Sequence, residues 1–453
     1  MSLSNLVILA AGQGKRMRTG RPKVLHLLAG QPLLSHVLAT ARALRPQRIV
    51  VVYSDAALLE AYSDADDISW VKQFPQRGTG DALLQALPLL GDGQVLVLYG
   101  DCPLVSSQTL EQLLAQATLE SLTLLTARVA DASGYGRIVR NSLGAVSHCV
   151  EHADATTEQL AINEINTGIL VAPLHRLKCW LTKIKADNAQ QEYYLTDIVA
   201  LAAAEQLPIH ALCASDTQQV LGINNQQQLA AAERYYQWQQ AQQLLDLGVT
   251  LADPARLDIR GCLSVGKDVA IDVNCIFSGQ VKLGDRVRIE ANCVLHNVSI
   301  ADDVHIAAYS HLDGAVIGQH CRIGPFARIR PGSVLQHHVH IGNFVEVKNS
   351  TIASHSKANH LSYIGDARIA EHVNMGAGSI TCNYNGVHKA ATEIAEHAFI
   401  GSGCMLVAPL KIGAYATIGA GSVITKMAPA GQLTLSRTAQ QSYPNWQRPR
   451  RPD

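Results

Sequence analysis

Charged residues are scarce in this chain of 453 residues. Only 16% of the residues are charged, and 37 Lys and Arg balance 37 Asp and Glu. This balance excludes a protein that is held to nucleic acid or to a membrane by bulk positive charge. No apolar run is long enough to span a membrane, and the apolar segment 3–11 leads into a glycine-rich turn instead of a cleavage site. We therefore expect a cytoplasmic protein with neither a nucleic-acid nor a membrane partner.

Aromatic residues and paired cysteines are also rare. Aromatic residues make up 5% of the chain and hydrophobic residues 47%, which excludes extensive disorder and indicates a mainly aliphatic core. The ten cysteines contain no C-x-x-C pair, and the chain is too long for a small disulfide-dependent secreted domain. The length predicts about three structural units.

Three sequence patterns follow one another along the chain. In residues 1–224, aliphatic runs alternate with helical patterns, which predicts an α/β, Rossmann-like domain with a parallel sheet. Residues 225–247 are rich in Gln and Ala and contain no Gly or Pro, which predicts a linker helix. Residues 248–453 form the third segment.

A six-residue repeat distinguishes residues 248–453. Aliphatic residues recur in unbroken steps of six from Ile317 to Val347, and the repeat slips near Ser350 before it resumes. This pattern predicts a left-handed parallel β-helix, in which residues 18 apart stack about 4.8 Å from each other. Four cysteines occupy the small inward-facing position of the repeat and are expected in the core: Cys275, Cys293, Cys321 and Cys404.

Two features of the α/β segment are compatible with phosphate and metal binding. The turn Gly12–Gly14 can point backbone N–H groups at an anion, or it can be an ordinary tight turn. Lys15, Arg16 and Lys23 add positive charge where a triphosphate would lie. Asp101 follows a buried strand, where it could cap the next helix or hold Mg²⁺.

Two cations of the repeat are 18 residues apart. Arg330 and Lys348 should stack about 5 Å apart, which is unfavourable unless an anion lies between them. Either the two side chains splay into solvent, or they bind a phosphate.

The glycine-rich segment, L-A-A-G-x-G-x-R-M followed by P-K, resembles the fingerprint of the sugar-nucleotide pyrophosphorylases. Further motifs, among them Gly134–Arg137 and Gly222–Asn225, stand in the same order and spacing. From residue 5 to about 440 the chain resembles the family of bacterial bifunctional N-acetylglucosamine-1-phosphate uridyltransferase/glucosamine-1-phosphate acetyltransferases. Lys15 departs from the family pattern, which usually has Thr there.

For the first domain, the resemblance implies uridylyl transfer from UTP to N-acetylglucosamine-1-phosphate with Mg²⁺. It places Asp101 and Asn224 on the metal and Lys23 on phosphate. The other residues implied in nucleotide and sugar binding are Leu9, Ala10, Ala11, Gly12, Gln73, Gly78, Thr79, Tyr99, Gly100, Gly136, Glu151 and Asn166.

For the β-helix, the resemblance implies transfer of an acetyl group from acetyl-CoA to glucosamine-1-phosphate. His360 would accept the proton of the amine, a task that suits an ordinary histidine pKa near 6.5, and Glu346 could orient it. The implied acceptor-binding residues are Arg330, Lys348, Tyr363 and Asn374. The implied acetyl-CoA groove consists of Ala377, Asn383, Tyr384, Ser402, Ala420 and Arg437.

The resemblance also implies a homotrimer, with the acyl-CoA groove between neighbouring chains. Asn385 stands where Asp is common, and Ala391 stands where the family often has a second Lys after Lys389. The basic residues Arg448, Arg450 and Arg451 are candidates to replace that missing cation.

Three functions are compatible with these patterns. The first is the bifunctional enzyme, and the second is a pyrophosphorylase whose β-helix serves only assembly or regulation. The third is a non-catalytic regulatory subunit. The second predicts no catalytic set in the repeat, and the third predicts erosion of the Gly-rich loop and Asp101. The intact motifs in both halves favour the bifunctional enzyme.

Overall fold

The structure, a computed structural model, describes residues 3–449. The chain divides into two compact units, Met1–Tyr236 and Gln237–Asp453. The boundary lies within the helix Gln226–Asp246, which occupies the segment where a linker helix was predicted. Among the described residues, no helix is both long enough and apolar enough to traverse a membrane.

A twisted sheet forms the centre of the first unit. Its middle strands are buried on both faces: Leu6, Val7 and Ile8 are all inaccessible to solvent. The strand Glu164–Pro173 runs antiparallel to both of its neighbours in the sheet. A β-hairpin precedes this strand in the chain, and the chain reverses direction there. Across the sheet the order is Ile209–Cys213, Leu122–Arg128, Glu164–Pro173, Gln94–Tyr99, Asn5–Leu9, Arg48–Tyr53 and Ile68–Lys72, with the hairpin Arg137–Arg140 and Val146–Val150 beside Glu164–Pro173.

Helices cover this sheet as the alternating pattern predicted. The helix Leu33–Ala43 buries one aliphatic face, and Ser106 caps Ser107–Gln116 by accepting a hydrogen bond from Thr109 N. The remaining α-helices of the unit are Ala57–Ala61, Thr79–Ala86, Thr157–Leu160, Leu174–Leu181 and Ile198–Ala204. Short 3₁₀ turns lie at Lys15–Met17, Lys23–Leu25, Leu87–Leu89, Leu195–Asp197 and Thr217–Val220, and a small hairpin joins Leu27–Leu28 to Gln31–Pro32.

The second unit is a parallel β-helix of the left-handed hexapeptide type, which confirms the predicted fold. One of its faces consists of Thr250–Leu251, Ala270–Ile271, Arg288–Ile289, His305–Ile306, Arg322–Ile323, His340–Asn343, Lys357–His360, Asn374–Met375, Phe399–Ile400, Thr417–Ile418 and Leu433–Thr434. The inward aliphatic residues form the core, and the four cysteines predicted to be inside are fully buried.

The other two faces are joined in one sheet. Two long strands, Leu257–Val265 and Cys275–Leu283, begin it after the 3₁₀ turn Pro254–Arg256. It continues through Val294–His296, Ser299–Ile300, His311–Asp313, Val316–Ile317, Arg328–Ile329, Val334–Leu335, Glu346–Lys348, Thr351–Ile352, Tyr363–Gly365, Ala367–Ile369, Ile380–Cys382, Thr392–Ile394, Met405–Val407, Leu410–Ile412 and Val423–Ile424.

The coils of this β-helix differ in length. Ile323 pairs with Ile341, 18 positions on, whereas Ile341 pairs with Ala358, 17 positions on. The slip near Ser350 is therefore a shortened step within a 17-residue coil. One coil is much longer: Ile369 pairs with Ile394, and the extra residues form a loop that includes Asn383–Ala391.

Ring-bearing residues stack at two corners of the coils. One stack, which we call the histidine ladder, consists of His320, His338, His355, His372 and His397, with centroids 4.6–4.8 Å apart. Each of these residues has a positive φ, which lets the chain turn the corner. The second stack consists of Tyr309, Phe326 and Phe344. These three residues and Leu361, all of them exposed, are called the apolar edge.

Candidate active sites

A cavity of about 730 Å³ opens at one edge of the first unit's sheet. Backbone hydrogen bonds at the strand ends, such as Gly100 N to Leu9 O at 3.0 Å, bring the loops that line it together. The cavity is lined by most of the residues predicted for nucleotide and sugar binding: Leu9, Ala10, Ala11, Gly12, Lys23, Gln73, Gly78, Thr79, Tyr99, Asp101, Glu151 and Asn224.

Three predicted residues contact these lining residues instead of the cavity itself. Gly100 packs on Ala10, where an added Cβ would lie 3.2 Å from the alanine methyl. Gly136 lies against the Glu151 carboxylate, and its carbonyl accepts a hydrogen bond from Asn166 N at 2.9 Å. Gly136 is therefore placed beside Glu151, where the sugar is expected, and Gly100 supports Ala10.

Lys23 lies between the two residues predicted to hold Mg²⁺. Its Nζ donates to Asp101 Oδ2 and, at 3.0 Å, to Asn224 Oδ1. The two oxygens thus converge on one cation, and carboxylate and amide oxygens are the ligands that Mg²⁺ prefers. This donor set fits the predicted metal. The Lys23 ammonium, which was expected on phosphate, here pairs with both predicted metal ligands.

The end of the cavity where the nucleotide is expected is held by hydrogen bonds within the protein. Gln73 is almost fully buried, and its Nε2 donates to Gly78 O at 3.0 Å and to Asp81 Oδ2 at 2.8 Å. Both amide hydrogens are used by the protein, which leaves the side-chain carbonyl to accept from a ligand. Gly78 has φ +111°, and a Cβ there would lie 2.6 Å from Tyr193 O, so this position requires glycine.

Glu151 lies at the opposite end, where burial raises the pKa of its carboxyl group. Its Oε1 accepts a hydrogen bond from Thr196 Oγ1 at 2.9 Å, which holds the side chain in place. A buried carboxyl that is fixed in this way can accept hydrogen bonds from sugar hydroxyl groups.

Several cavity residues were not found from the sequence. Gln76 donates to Ala11 O and so braces the glycine-rich loop. Lys15 and Arg16, which were recognised as a cationic set, do line the cavity. Gln13 and Gly134 also line the cavity and lie within recognised motifs, although neither residue was assigned a role. No motif was named for other lining residues, among them Ala153, Gln190 and Glu192.

In the second unit, each predicted acceptor-binding cation is paired with a carboxylate from the next coil. Arg330 donates to Glu346 at 2.8 Å, and Lys348 donates to Asp366 at 3.3 Å. The predicted stacking of Arg330 and Lys348 is present in the strand register. Each of these like charges is therefore balanced by its own carboxylate.

His360 bonds to Asn343 and not to the residue expected to orient it. Its Nδ1 lies 2.9 Å from Asn343 Oδ1, whereas Glu346 is engaged by Arg330. Because an amide oxygen can only accept, Nδ1 is the donor in this contact, and in the neutral ring the lone pair is then on Nε2. The orienting contact thus differs from the expected one, and His360 itself is exposed.

The long coil adds further residues to this site. Asn383 is buried and donates to Asp366, beside Lys348. Lys389 contacts Lys348, whose ammonium lowers the pKa of the Lys389 side chain. Lys389 therefore lies beside one of the two cations predicted to bind the acetyl acceptor. Asn385 accepts hydrogen bonds from two backbone N–H groups of the same loop, a role that Asp could also fill.

The two remaining acceptor residues lie on adjacent faces. Tyr363 is paired in register with Glu346, and its hydroxyl lies over Gly365. Asn374 pairs with Lys357 on the face that carries His360. Both are partly exposed.

The residues predicted for acetyl-CoA form a column across successive coils. Gly403 N donates to Ala377 O at 2.7 Å, Gly421 N donates to Ser402 O at 2.8 Å, and Arg437 donates to Ala420 O at 3.0 Å. The expected stacking of Ser402 and Ala420 is present. Tyr384 is exposed in the loop of the long coil. Of the basic tail, Arg450 and Arg451 lie outside the described residues.

Comparison with known proteins supports both halves. A MobA-like NTP transferase domain matches residues 6–167, a GMPPB C-terminal domain matches residues 259–383, and six bacterial transferase hexapeptides match residues 391–426. The "Bifunctional protein GlmU" of Janthinobacterium sp. (strain Marseille) is 53% identical over 98% of this chain and 99% of its own length. That of Chromobacterium violaceum is 53% identical over 100% and 99%, respectively.

A solved UDP-glucose pyrophosphorylase, complexed with UDP-glucose, is similar over 52% of this chain and 98% of its own. Its sequence identity is 18% and its TM-score is 0.41, so it adds nothing to the assignment.

Proposed function

The chain belongs to the GlmU family of bifunctional proteins, and from this premise we propose which residues carry each of its two activities. The enzyme transfers the acetyl group of acetyl-CoA to glucosamine-1-phosphate and the uridylyl group of UTP to N-acetylglucosamine-1-phosphate. We assign uridylyl transfer to residues 1–224 and acetyl transfer to residues 248–453, with residues 225–247 as the linker. The observation that carries this assignment is that each unit holds its own set of converging polar side chains.

In uridylyl transfer, a phosphate oxygen of the sugar phosphate attacks the α-phosphorus of UTP, and pyrophosphate leaves. The nucleophile is already an anion, so the chain needs no general base. Its task is to align two anions and to reduce their repulsion. Lys15, Arg16 and Lys23 line the cavity where the phosphates would lie, and the Gln73 carbonyl can accept from the uracil N3–H.

Mg²⁺ is part of this proposal because the oxygens of Asp101 and Asn224 converge on a single cation position. When bound, the metal would neutralise phosphate charge, with substrate oxygens completing its coordination. The sugar would lie against Glu151, Gly136 and Asn166.

In acetyl transfer, His360 Nε2 accepts a proton from the amine of glucosamine-1-phosphate. The amine attacks the thioester carbon, and the C–S bond breaks to release CoA. Arg330, Lys348 and Lys389 form the cationic cluster that would hold the sugar phosphate, with Tyr363 and Asn374 beside it. The column from Ala377 to Arg437 would hold the pantetheine arm of acetyl-CoA, with Asn383 and Tyr384 on the neighbouring loop.

A homotrimer in the cytoplasm completes the proposal. The apolar edge leaves four large apolar side chains exposed, and Leu361 in this edge is the neighbour of His360. Packing against another copy would cover this surface. All ten cysteines fall within the described residues and are free thiols, which suits a reducing compartment.

The test uses purified protein with glucosamine-1-phosphate, acetyl-CoA, UTP and Mg²⁺, and measures CoA and pyrophosphate release separately. His360→Ala should reduce acetyl transfer by about 10²- to 10⁴-fold and leave uridylyl transfer from supplied N-acetylglucosamine-1-phosphate unchanged. Asp101→Ala should do the reverse. If either variant lost both activities while still folded, the assignment of one site to each unit would be wrong.

A further inference from the structure

The Lys23 ammonium and a divalent metal ion have the same ligands. Lys23 Nζ donates to Asp101 Oδ2 and to Asn224 Oδ1, and the side chains of Lys23 and Asp101 are only 12% and 14% exposed. Both partners are fixed from the other side. Ile223 N donates to Asp101 O at 2.9 Å, and Asn224 Nδ2 donates to Gly222 O at 3.3 Å.

The ammonium and Mg²⁺ cannot be held by these two oxygens at once. Mg²⁺ needs its oxygen ligands at about 2.0–2.1 Å, and two cations at one carboxylate repel each other strongly. A metal ion that enters must therefore displace Lys23. A lysine displaced into a half-closed cavity without another anion would be an uncompensated charge, which is costly.

A bound nucleotide would offer Lys23 a second anionic partner. Gly14 packs directly on the lysine stem, since a Cβ at Gly14 would lie 2.8 Å from Lys23 Cβ. The glycine-rich loop, whose backbone N–H groups suit phosphate, is thus in contact with Lys23. A triphosphate on this loop would lie within reach of the ammonium.

We propose that Lys23 is a built-in cation that keeps divalent metal off Asp101 and Asn224 until the nucleoside triphosphate binds. The triphosphate then draws the ammonium away, and both oxygens become available to the metal. Metal and nucleotide are thereby coupled: each raises the affinity of the protein for the other. This inference rests on the proposed assignment of Asp101 and Asn224 as the metal ligands.

The experiment measures Mn²⁺ binding to the full-length protein by the EPR signal of free Mn²⁺, with and without UTP and without sugar phosphate. Wild-type protein should bind Mn²⁺ weakly alone and more tightly with UTP. Lys23→Ala should bind Mn²⁺ at least about tenfold tighter without nucleotide, and UTP should add correspondingly less. The matched control is Lys15→Ala, since Lys15 lines the same cavity but does not hydrogen-bond to either metal ligand; its nucleotide-free affinity should equal that of wild type.

Two further variants make the result decisive. Lys23→Met keeps the side-chain stem that packs on Gly14 and should behave as Lys23→Ala, while circular dichroism melting confirms that each variant is folded. In the double variant Lys23→Ala/Asp101→Ala the gained Mn²⁺ affinity should disappear. Persistence of that gain would place the metal elsewhere and overturn the inference.

The inference also fails if neither Lys23 variant binds Mn²⁺ more tightly than wild type. Its failure can be separated from that of the proposed function. If Asp101→Ala lost uridylyl transfer and the Lys23 variants showed no gain in Mn²⁺ affinity, the proposed function would stand and the coupling would be refuted. Full uridylyl transfer by Asp101→Ala would refute the metal assignment itself.

Discussion

The two sites differ in how far apart in the sequence their residues lie. In the first unit, Lys23 bonds to residues 78 and 201 positions away. In the β-helix, the bonds Arg330–Glu346, His360–Asn343 and Lys348–Asp366 span 16, 17 and 18 positions. The order of the strands in the sheet therefore brings the residues of the first site together, whereas the length of a coil brings together those of the second.

This difference determines what else depends on each site. Many of the cavity residues, Asp101 and Asn224 among them, stand on loops beyond the ends of the strands, so the sheet below them depends little on the side chains that these loops carry. In the β-helix, the bonds of the site are also contacts between successive coils. Substitutions in that unit should therefore change stability and activity together.

The largest expected effect comes from adding one methyl group, as a Gly→Ala substitution, to each of the two units. A Cβ at Gly342 would lie 2.0 Å from the backbone oxygen of Asn359, whereas a Cβ at Gly12 meets nothing within 4 Å. We expect Gly342→Ala to cost about 3 kcal/mol of stability and to reduce acetyl transfer more than about 100-fold, because Asn343 and His360 shift with the strand. Gly12→Ala should keep the wild-type melting temperature. Equal melting temperatures for the two variants would remove the distinction between loop and coil.

A smaller effect tests the contact between coils that holds His360. Asn343→Ala should lower kcat for acetyl transfer by roughly 10- to 100-fold with little change in KM, because the ring loses the acceptor that fixes its tautomer. Asn343→Asp keeps an acceptor and adds a negative charge, which raises the pKa of His360. It should recover activity with a pH–rate profile displaced to higher pH. An unchanged profile would show that Asn343 does not position the base.

The smallest effect concerns the histidine ladder. Partial desolvation lowers the pKa of His338, and the neighbouring imidazoles of His320, His355 and His337 lower it further. The folded chain then binds fewer protons than the unfolded chain, so stability falls as the pH drops below about 6.5. His338→Asn tolerates the same positive φ and should lose slightly less melting temperature between pH 7.5 and 5.5. An identical loss in both proteins would contradict this role for the ladder.

The sequence predicted the β-helix well where its repeat is regular. The columns Arg330–Lys348 and Ser402–Ala420 and the buried cysteines follow from the six-residue period alone. The partner of His360 did not follow, because the spacing of 18 points to Gly342 and the shortened coil pairs His360 with Asn343 instead. The position of Lys389 could not be inferred for a related reason, since its loop has no repeat.

In the α/β unit, the strands and helices were predicted from aliphatic periodicity, but the site required motif resemblance. The motifs identified Asp101, Asn224 and Lys23 separately. No spacing rule relates residues on three separate loops, so the shared hydrogen bonds of Lys23 became visible only in three dimensions. The antiparallel strand Glu164–Pro173 was missed because a local hydrophobic pattern carries no strand direction.

The long coil between Ile369 and Ile394 has a consequence for how such a protein can change. The extra residues form a loop that leaves the β-helix and returns to it, and the strands before and after this loop remain paired in register. An insertion is thus confined to the coil that receives it. A solenoid of this kind can gain a binding loop, here the one that carries Asn383, Tyr384 and Lys389, in a single genetic step and without repair elsewhere. Binding specificity can thus be changed by adding a loop at one corner, while the stacked coils that support the loop keep their structure.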